Sequence, residues 1–250
     1  MHKDNRDRPV HSQRANAAGG PVRNSILTSI PDSEFRLVAP YLEFVSLEQR
    51  RVLHEPNEEL EFAHFLNHGL ISLVIAMEDG RTVEAGLVWN EGVAGIPLAV
   101  GITRSLLREV VLLAGDGFRI RARSFENILR STPRFQAILC RYAVVQRMQV
   151  AQTSACNRLH DIEQRLARWL LMAHDRMDNG SMFITHDFLA TMLGTDRPSV
   201  SSAASILQKK ANITYTRGVM TILNRKRLEK SACECYRVIR NFDEKIATHF

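Results

Sequence analysis

Arg197 leads a short run that continues with Ser199, Ser201, Ser202 and Ser205. A guanidinium can hold a guanine edge through two parallel hydrogen bonds, and small hydroxyls on the same helical face let a helix sit deep in a major groove. That is chemistry of recognition rather than bond-making. Thr185, Lys209 and Arg217 are the accompanying candidates for DNA contact. Lys210, Arg225, Lys226 and Arg227 add positive charge of the kind that anchors phosphates and makes binding fall steeply with salt. For any one of these cations an ordinary solvated basic face remains the alternative.

Other spacings point less far. Cys233 and Cys235 form a C-x-C pair, with Cys156 elsewhere, that could bind a metal or respond to oxidants; without a second nearby pair it reads as small buried thiols. His64 and His68 frame an apolar, aromatic segment but lack a carboxylate or third ligand at a useful spacing, so they read as ordinary residues of a β-domain. A metal enzyme on a cupin-type barrel would need a close His-x-His pair with a downstream Glu and His, which the chain lacks. No catalytic residue and no metal site is expected.

The elements that must position Arg197 are legible around it. Thr185 to Leu207 parses as two short helices hinged at Gly194. Thr185 caps the first and Asp196 the second, Ala190 is small where the helices approach, and Pro198 falls in a first turn that needs no N–H there. Val200, Ala203, Ile206 and Leu207 supply a buried face, completed by Leu189 and Leu193. Ile213 to Leu223 then alternates about Arg217-Gly218, a two-stranded wing with Arg217 at its tip. Ile162 to His174 is a helix in front of the pair, with Trp169 and Phe188 in the core.

Further upstream, Phe135, Ile138, Tyr142, Val145 and Met148 recur at helical spacing in a stretch that runs without glycine from Phe118 up to Gly180. This stripe fits packing on its own domain or a two-helix dimer seam. Before it, Leu70 to Met77, Thr82 to Trp89 and Leu106 to Leu113 read as strands of a sandwich or jelly roll, after a helix over Asp32 to Leu42. The expected class is therefore α+β: residues 1–24 a flexible tail, 25–130 a jelly-roll sensor, 131–159 a dimerisation helix, 160–240 a winged helix-turn-helix, and 241–250 a C-terminal tail. With 250 residues, 45% hydrophobic content and a net charge of +6, the chain can bury two cores and favours polyanionic partners. No apolar run spans a bilayer, and four scattered cysteines fit a reducing, cytoplasmic setting.

Ile162-Glu-Gln-Arg-Leu-Ala-Arg-Trp-Leu-Leu, with Leu189 to Leu207 and the wing, resembles the Crp/Fnr family of bacterial regulators, and the likeness extends from about Ser25 to Arg240. The resemblance implies an effector-binding jelly roll, a homodimer, a palindromic operator in duplex DNA, and RNA polymerase as a partner if the protein activates. It puts Arg197 at the position where the family's recognition helix opens with Arg. The family's cyclic-AMP activator follows that Arg with a Glu and later a second Arg, where this chain has Pro198 and Ser202, so another target sequence is implied. In the sensor, the resemblance points to Gly95, Arg104, Ser105 and Gln152 as effector-binding positions. Ile96 stands where a Glu would take the ribose hydroxyl and Ala151-Gln152 where hydroxyls would meet adenine, which argues against classical cyclic AMP. No cysteine precedes Cys140, so no iron-sulfur cluster, and no other cofactor, is expected. A Crp-like module acting through protein partners is the remaining alternative.

Overall fold

The computed structural model describes residues 14–176 and 181–247. Two compact units emerge, one built from residues up to 71 with 88–105 and 109–142, the other from 72–87, 106–108 and residues from 143 onward.

In the first unit, α1 (Ser25–Ser29) and α2 (Asp32–Val38) precede β1 (Glu43–Leu47), β2 (Val52–His54), β3 (Phe62–Ala76), β4 (Thr82–Val88), β5 (Val93–Ala94) and β6 (Arg108–Arg121), the end of β3 from Ser72 and all of β4 but Val88 belonging to the second unit. The sheet order is β1-β6-β3-β4, with β2 also on β6 and β5 also on β3. β1 runs antiparallel to β6 in the register Glu43↔Arg119 through Leu47↔Gly115. α3 (Ala122–Leu129) and the first part of α4 (Pro133–Leu159) close the core. Phe65, Phe125 and Phe135 are fully buried, with ring centroids 5.9–6.0 Å apart, and two of the three pairs are edge-on, the geometry that the ring quadrupole favours.

Two expectations need correction here. The helix foreseen to Leu42 stops at Val38 and tightens to a 3-10 turn over Ala39–Tyr41, because Pro40 has no N–H to continue an α-helix. The stretch foreseen as a flexible tail through Asn24 is tied down from Arg14: Arg14 donates to the Leu27 carbonyl, Asn16 to that of Leu42, and Val22 is 5% exposed. Its few apolar groups suffice because polar side chains satisfy the backbone. Residues 1–13 of that tail lie outside the described residues.

The second unit holds the end of β3 from Ser72, β4 up to Leu87, the later part of α4, α5 (Ile162–His174), β7 (Ser181–Phe183), α6 (His186–Leu193), α7 (Arg197–Lys209), β8 (Ile213–Thr216), β9 (Val219–Ile222), α8 (Arg225–Ser231) and α9 (Cys235–Ala247). Asp161 and Gln164 form a reciprocal capping box that starts α5. The small sheet is ordered β7-β9-β8, so the wing has a third strand that the sequence pattern did not reveal. The end foreseen as a tail from 241 continues as helix to Ala247. The architecture is an N-terminal antiparallel β-domain, a long helix and a C-terminal winged helix-turn-helix, an α+β fold. Among the described residues, no helix is long and apolar enough to cross a membrane.

Candidate nucleic-acid interface

The two-helix motif is made by its end signals. Thr185 Oγ1 accepts the Phe188 N–H at 3.2 Å and opens α6. Gly194 ends it at φ 57°, ψ 48°, a left-handed conformation in which a side chain is strained; a Cβ there would also come within 2.9 Å of Val83. Asp196 then caps α7, accepting from Ser199 N at 2.8 Å and Ser199 Oγ at 3.0 Å. Arg165 of α5 donates to the Leu193 carbonyl, one of those left open where α6 ends.

α7 buries Val200, Ala203, Ala204 and Leu207. Ile206, foreseen in that face, is instead 39% exposed, because at 100° per residue it falls outside the stripe and Ala204 takes its place. The exposed face carries Arg197, Ser202 and Ser205, with Ser199 half-buried and Ile206 beside it. Arg197 is 66% exposed in its side chain and 3.6 Å from Asp187, a surface pair that contributes little and gives way readily. Ser201 points elsewhere: its hydroxyl meets His186 Nδ1 at 2.8 Å.

His186 is the residue that sequence reasoning missed. Its ring stacks on Tyr215 at 4.3 Å and 17°, so one imidazole ties the start of α6 to α7 and to the wing strand β8. Burial first, and the nearby Arg197 charge second, hold its pKa below the ordinary histidine value, keeping it neutral in that stack. No local signal marks the contact, since the three residues come from three elements.

The wing turns at Arg217 and Gly218, with φ of 51° and 81° between the paired residues Thr216 and Val219. Positive φ at both central residues is what a two-residue type I′ hairpin requires. Lys209, Lys226 and Arg227 are exposed. Two foreseen phosphate anchors are otherwise engaged: Lys210 pairs with Glu163, and Arg225 binds Asp175, Glu229 and the Tyr236 hydroxyl. Burial alone would lower the Arg225 pKa, but the hydrogen bond and charge of Asp175, with Tyr236 and Glu229, outweigh it, so the net shift is upward and the guanidinium stays charged inside the domain.

The proposed effector residues occupy varied settings. Arg104 is 65% exposed and turned to the Asn57 carbonyl at 3.1 Å and to Glu59 at 3.7 Å. The Ser105 carbonyl accepts the Asn57 N–H. The Gly95 N–H donates at 2.9 Å to Glu109, a carboxyl that burial pushes up to about 7. Gln152 donates its amide to Cys235 Sγ at 3.1 Å. Cys156, Cys233 and Cys235 are buried as foreseen, and the fold brings them into one cluster.

Residues 164–231 match the Crp-like helix-turn-helix domain model. The chain carries a Crp-like helix-turn-helix on the Crp/Fnr fold. Among solved structures it is similar to FixK2 from Bradyrhizobium japonicum (TM-score 0.68, 16% identity, covering 77% of this chain and 98% of that one). It is also similar to CLP, the c-di-GMP responsive global regulator of Xanthomonas campestris (0.63, 11%, 78% and 100%). A CRP-family transcriptional regulator from Thermus thermophilus gives 0.61 at 20% identity, covering 75% and 96%. No curated protein matches the chain.

Proposed function

We propose that this protein is a sequence-specific DNA-binding transcription regulator, acting in the cytoplasm as a homodimer on a palindromic operator. The carrying observation is the exposed face of α7, where Arg197 stands at the leading end of a helix whose first two turns carry short hydroxyls and which is flanked by the Arg217 wing tip. Arg197 reads a guanine, Ser199, Ser202 and Ser205 allow close seating, and the exposed Ile206 suits a thymine methyl. Thr185, Lys209 and Arg217 meet phosphates, while Ser201 supports the helix through His186.

Support for the dimer comes from α4. Phe135, Ile138, Tyr142 and Val145 are buried, and a second stripe of Val144, Met148, Ala151, Ala155 and Leu159 faces outward at spacings of four, three, four and four. Val144, Met148 and Leu159 are 50%, 49% and 75% exposed, an apolar seam of the kind that a partner helix covers. The β-domain, from about residue 25 to 130, is the place for an effector other than classical cyclic AMP, since Arg104 is already turned to Asn57 and Glu59. RNA polymerase is a partner if the protein activates.

Selection of bound fragments from genomic DNA, followed by fluorescence anisotropy, tests the proposal. Arg197→Ala should weaken the selected site by about 1 to 3 kcal/mol and leave binding to random duplex nearly unchanged. Equal losses on both would remove Arg197 from base reading. Retention of no DNA at low salt would favour action through protein partners.

A further inference from the structure

The two ends of the second unit meet at a group of four side chains that DNA binding does not use. Cys156 lies on the last turn of α4 and His160 just past its end, its N–H bonded to the Cys156 carbonyl, and Cys233 and Cys235 flank Glu234 where α8 gives way to α9. Their four ligand atoms all lie within 4.8 Å of one another. Cys156 Sγ is 3.5 Å from Cys233 Sγ, and Cys235 Sγ is 3.7 Å from His160 Nδ1. We propose that Cys156, His160, Cys233 and Cys235 bind one zinc ion per chain in a closed, tetrahedral Cys3His site.

The geometry matches the ion. Bonds of about 2.3 Å to sulfur and 2.0 Å to nitrogen in a tetrahedron put ligand atoms roughly 3.5 to 3.8 Å apart; two edges already have that length, and the other four are within 4.8 Å. A thiolate-rich tetrahedral set selects zinc or an iron-sulfur centre, and ligand atoms this close leave room for a single ion only. On binding, the three thiols release their protons to solvent while the imidazole binds neutral through Nδ1.

Two features outside the four ligands support the assignment. His160 Nε2 meets the Glu234 carboxylate at 3.2 Å, which fixes the ring so that Nδ1 faces the thiols, the arrangement in which a ligating histidine is oriented by a carboxylate behind it. Gln152 aims its amide at Cys235 Sγ, a donor suited to a thiolate. Charge agrees as well. Three thiolates and one divalent ion leave a net charge of −1, and Arg165 and Arg168, only 6% and 4% exposed, act electrostatically on these sulfurs, each with a buried Nε that has no hydrogen-bond partner. Four protein ligands leave no open position, so the ion would staple the end of α4 to the junction after the wing instead of catalysing a reaction.

The test uses the untagged full-length protein, purified under reductant without chelator. Elemental analysis should give about one zinc per chain. After the zinc is stripped, cobalt(II) alone should restore a one-to-one complex with the charge-transfer and visible bands of tetrahedral cobalt-thiolate. Zinc should protect three of the four cysteines from alkylation and leave Cys140 reactive. Cys235→Ser and His160→Ala should lose the ion, and Glu234→Gln should keep the stoichiometry but bind 10 to 100 times more weakly. If the ligand variants fail to fold, cobalt spectra and alkylation of the unaltered chain still decide. Absence of cobalt-thiolate bands, unchanged thiol reactivity with zinc, or a freshly isolated protein two hydrogens lighter through a Cys156 to Cys233 disulfide would each overturn the proposal.

Discussion

Replacing Glu84 by Gln should make the second unit more stable above pH 6 and flatten its dependence on pH. Glu84 on β4 is 7% exposed; its Oε1 accepts the Trp169 indole N–H at 3.2 Å and its Oε2 lies 3.1 Å from Ser72 Oγ. Ser72 Oγ is also 3.5 Å from Met192 Sδ. One hydroxyl proton cannot serve both neighbours, but a protonated Glu84 resolves the conflict: its O–H donates to Ser72, whose own proton then turns to Met192. Burial pushes the Glu84 pKa from 4.5 up to about 8, opposed by the Trp169 and Ser72 hydrogen bonds and by the Arg168 charge. With the folded pKa above the unfolded one, the folded state binds more protons between those two values, so stability falls as pH rises from about 4.5 to about 8. At 1.36 kcal/mol per unit, holding this carboxyl costs about 1 kcal/mol at pH 5, about 3 at pH 7 and about 4 at pH 8 relative to a neutral isostere. Gln supplies that isostere, since its oxygen can keep Trp169 and its amide can donate to Ser72. Urea unfolding of both proteins between pH 5 and 8, followed by tryptophan fluorescence, measures the difference. Glu109, with a pKa of about 7, titrates in the same window in both proteins and cancels. Curves for wild type and variant that stay parallel across this range would refute the claim that Glu84 folds as a neutral acid.

Other perturbations separate stability from binding. Arg217→Gly removes a side chain from a φ of 51°, so it should stabilise the wing by about 0.5 to 1 kcal/mol while lowering the salt slope of DNA binding by about 1, read by melting and by anisotropy at several salt concentrations. Gly194→Ala places a methyl against Val83 at positive φ and should cost roughly 1 to 2 kcal/mol, with loss of DNA affinity as α6 and α7 lose their angle. Asn24→Ala deletes the cap of α1 and the donors to the Leu66 and Gly92 carbonyls, all buried, and should destabilise the β-domain by roughly 3 kcal/mol in chemical denaturation; a change below 0.5 kcal/mol would restore the view of this stretch as a loose tail.

What the sequence disclosed and what it withheld divide by range of interaction. α5 begins and ends where its periodicity places it, and Thr185, Gly194 and Asp196 do in the fold what their types imply, because each acts within four residues of itself. The turn at Arg217-Gly218 was legible for the same reason, though its type was not. The stack of His186 on Tyr215, the withdrawal of Arg225 into a network with Asp175 and Tyr236, and the meeting of Cys156 with Cys233 join residues 29, 61 and 77 positions apart at most, and no local preference encodes them. Glu84 is the clearest case. Alternation along β4 puts it on a face that a lone hairpin would leave in water, and only Trp169 and Met192 arriving from α5 and α6 make that face an interior.

The sparseness of the recognition face bears on assembly. With Arg197 as the one long side chain at the leading end of α7, ahead of a row of serines, a single copy would discriminate by only about 1 to 3 kcal/mol, and Ile206 would add at most a methyl contact. A regulator must exceed its own nonspecific binding by about 4 to 10 kcal/mol to find its sites in a genome. Two copies on a two-fold site double the Arg197 contribution to roughly 2 to 6 kcal/mol and so reach that range, whereas one copy does not. On the proposed function, the apolar stripe from Val144 to Leu159 would therefore be as necessary to sequence reading as Arg197 itself. Met148→Glu, which sets two like charges face to face across such a seam, should abolish the preference for the selected site while leaving weak, salt-sensitive binding to any duplex; a monomeric variant in sedimentation that kept full site preference would show that contacts beyond α7 do the reading.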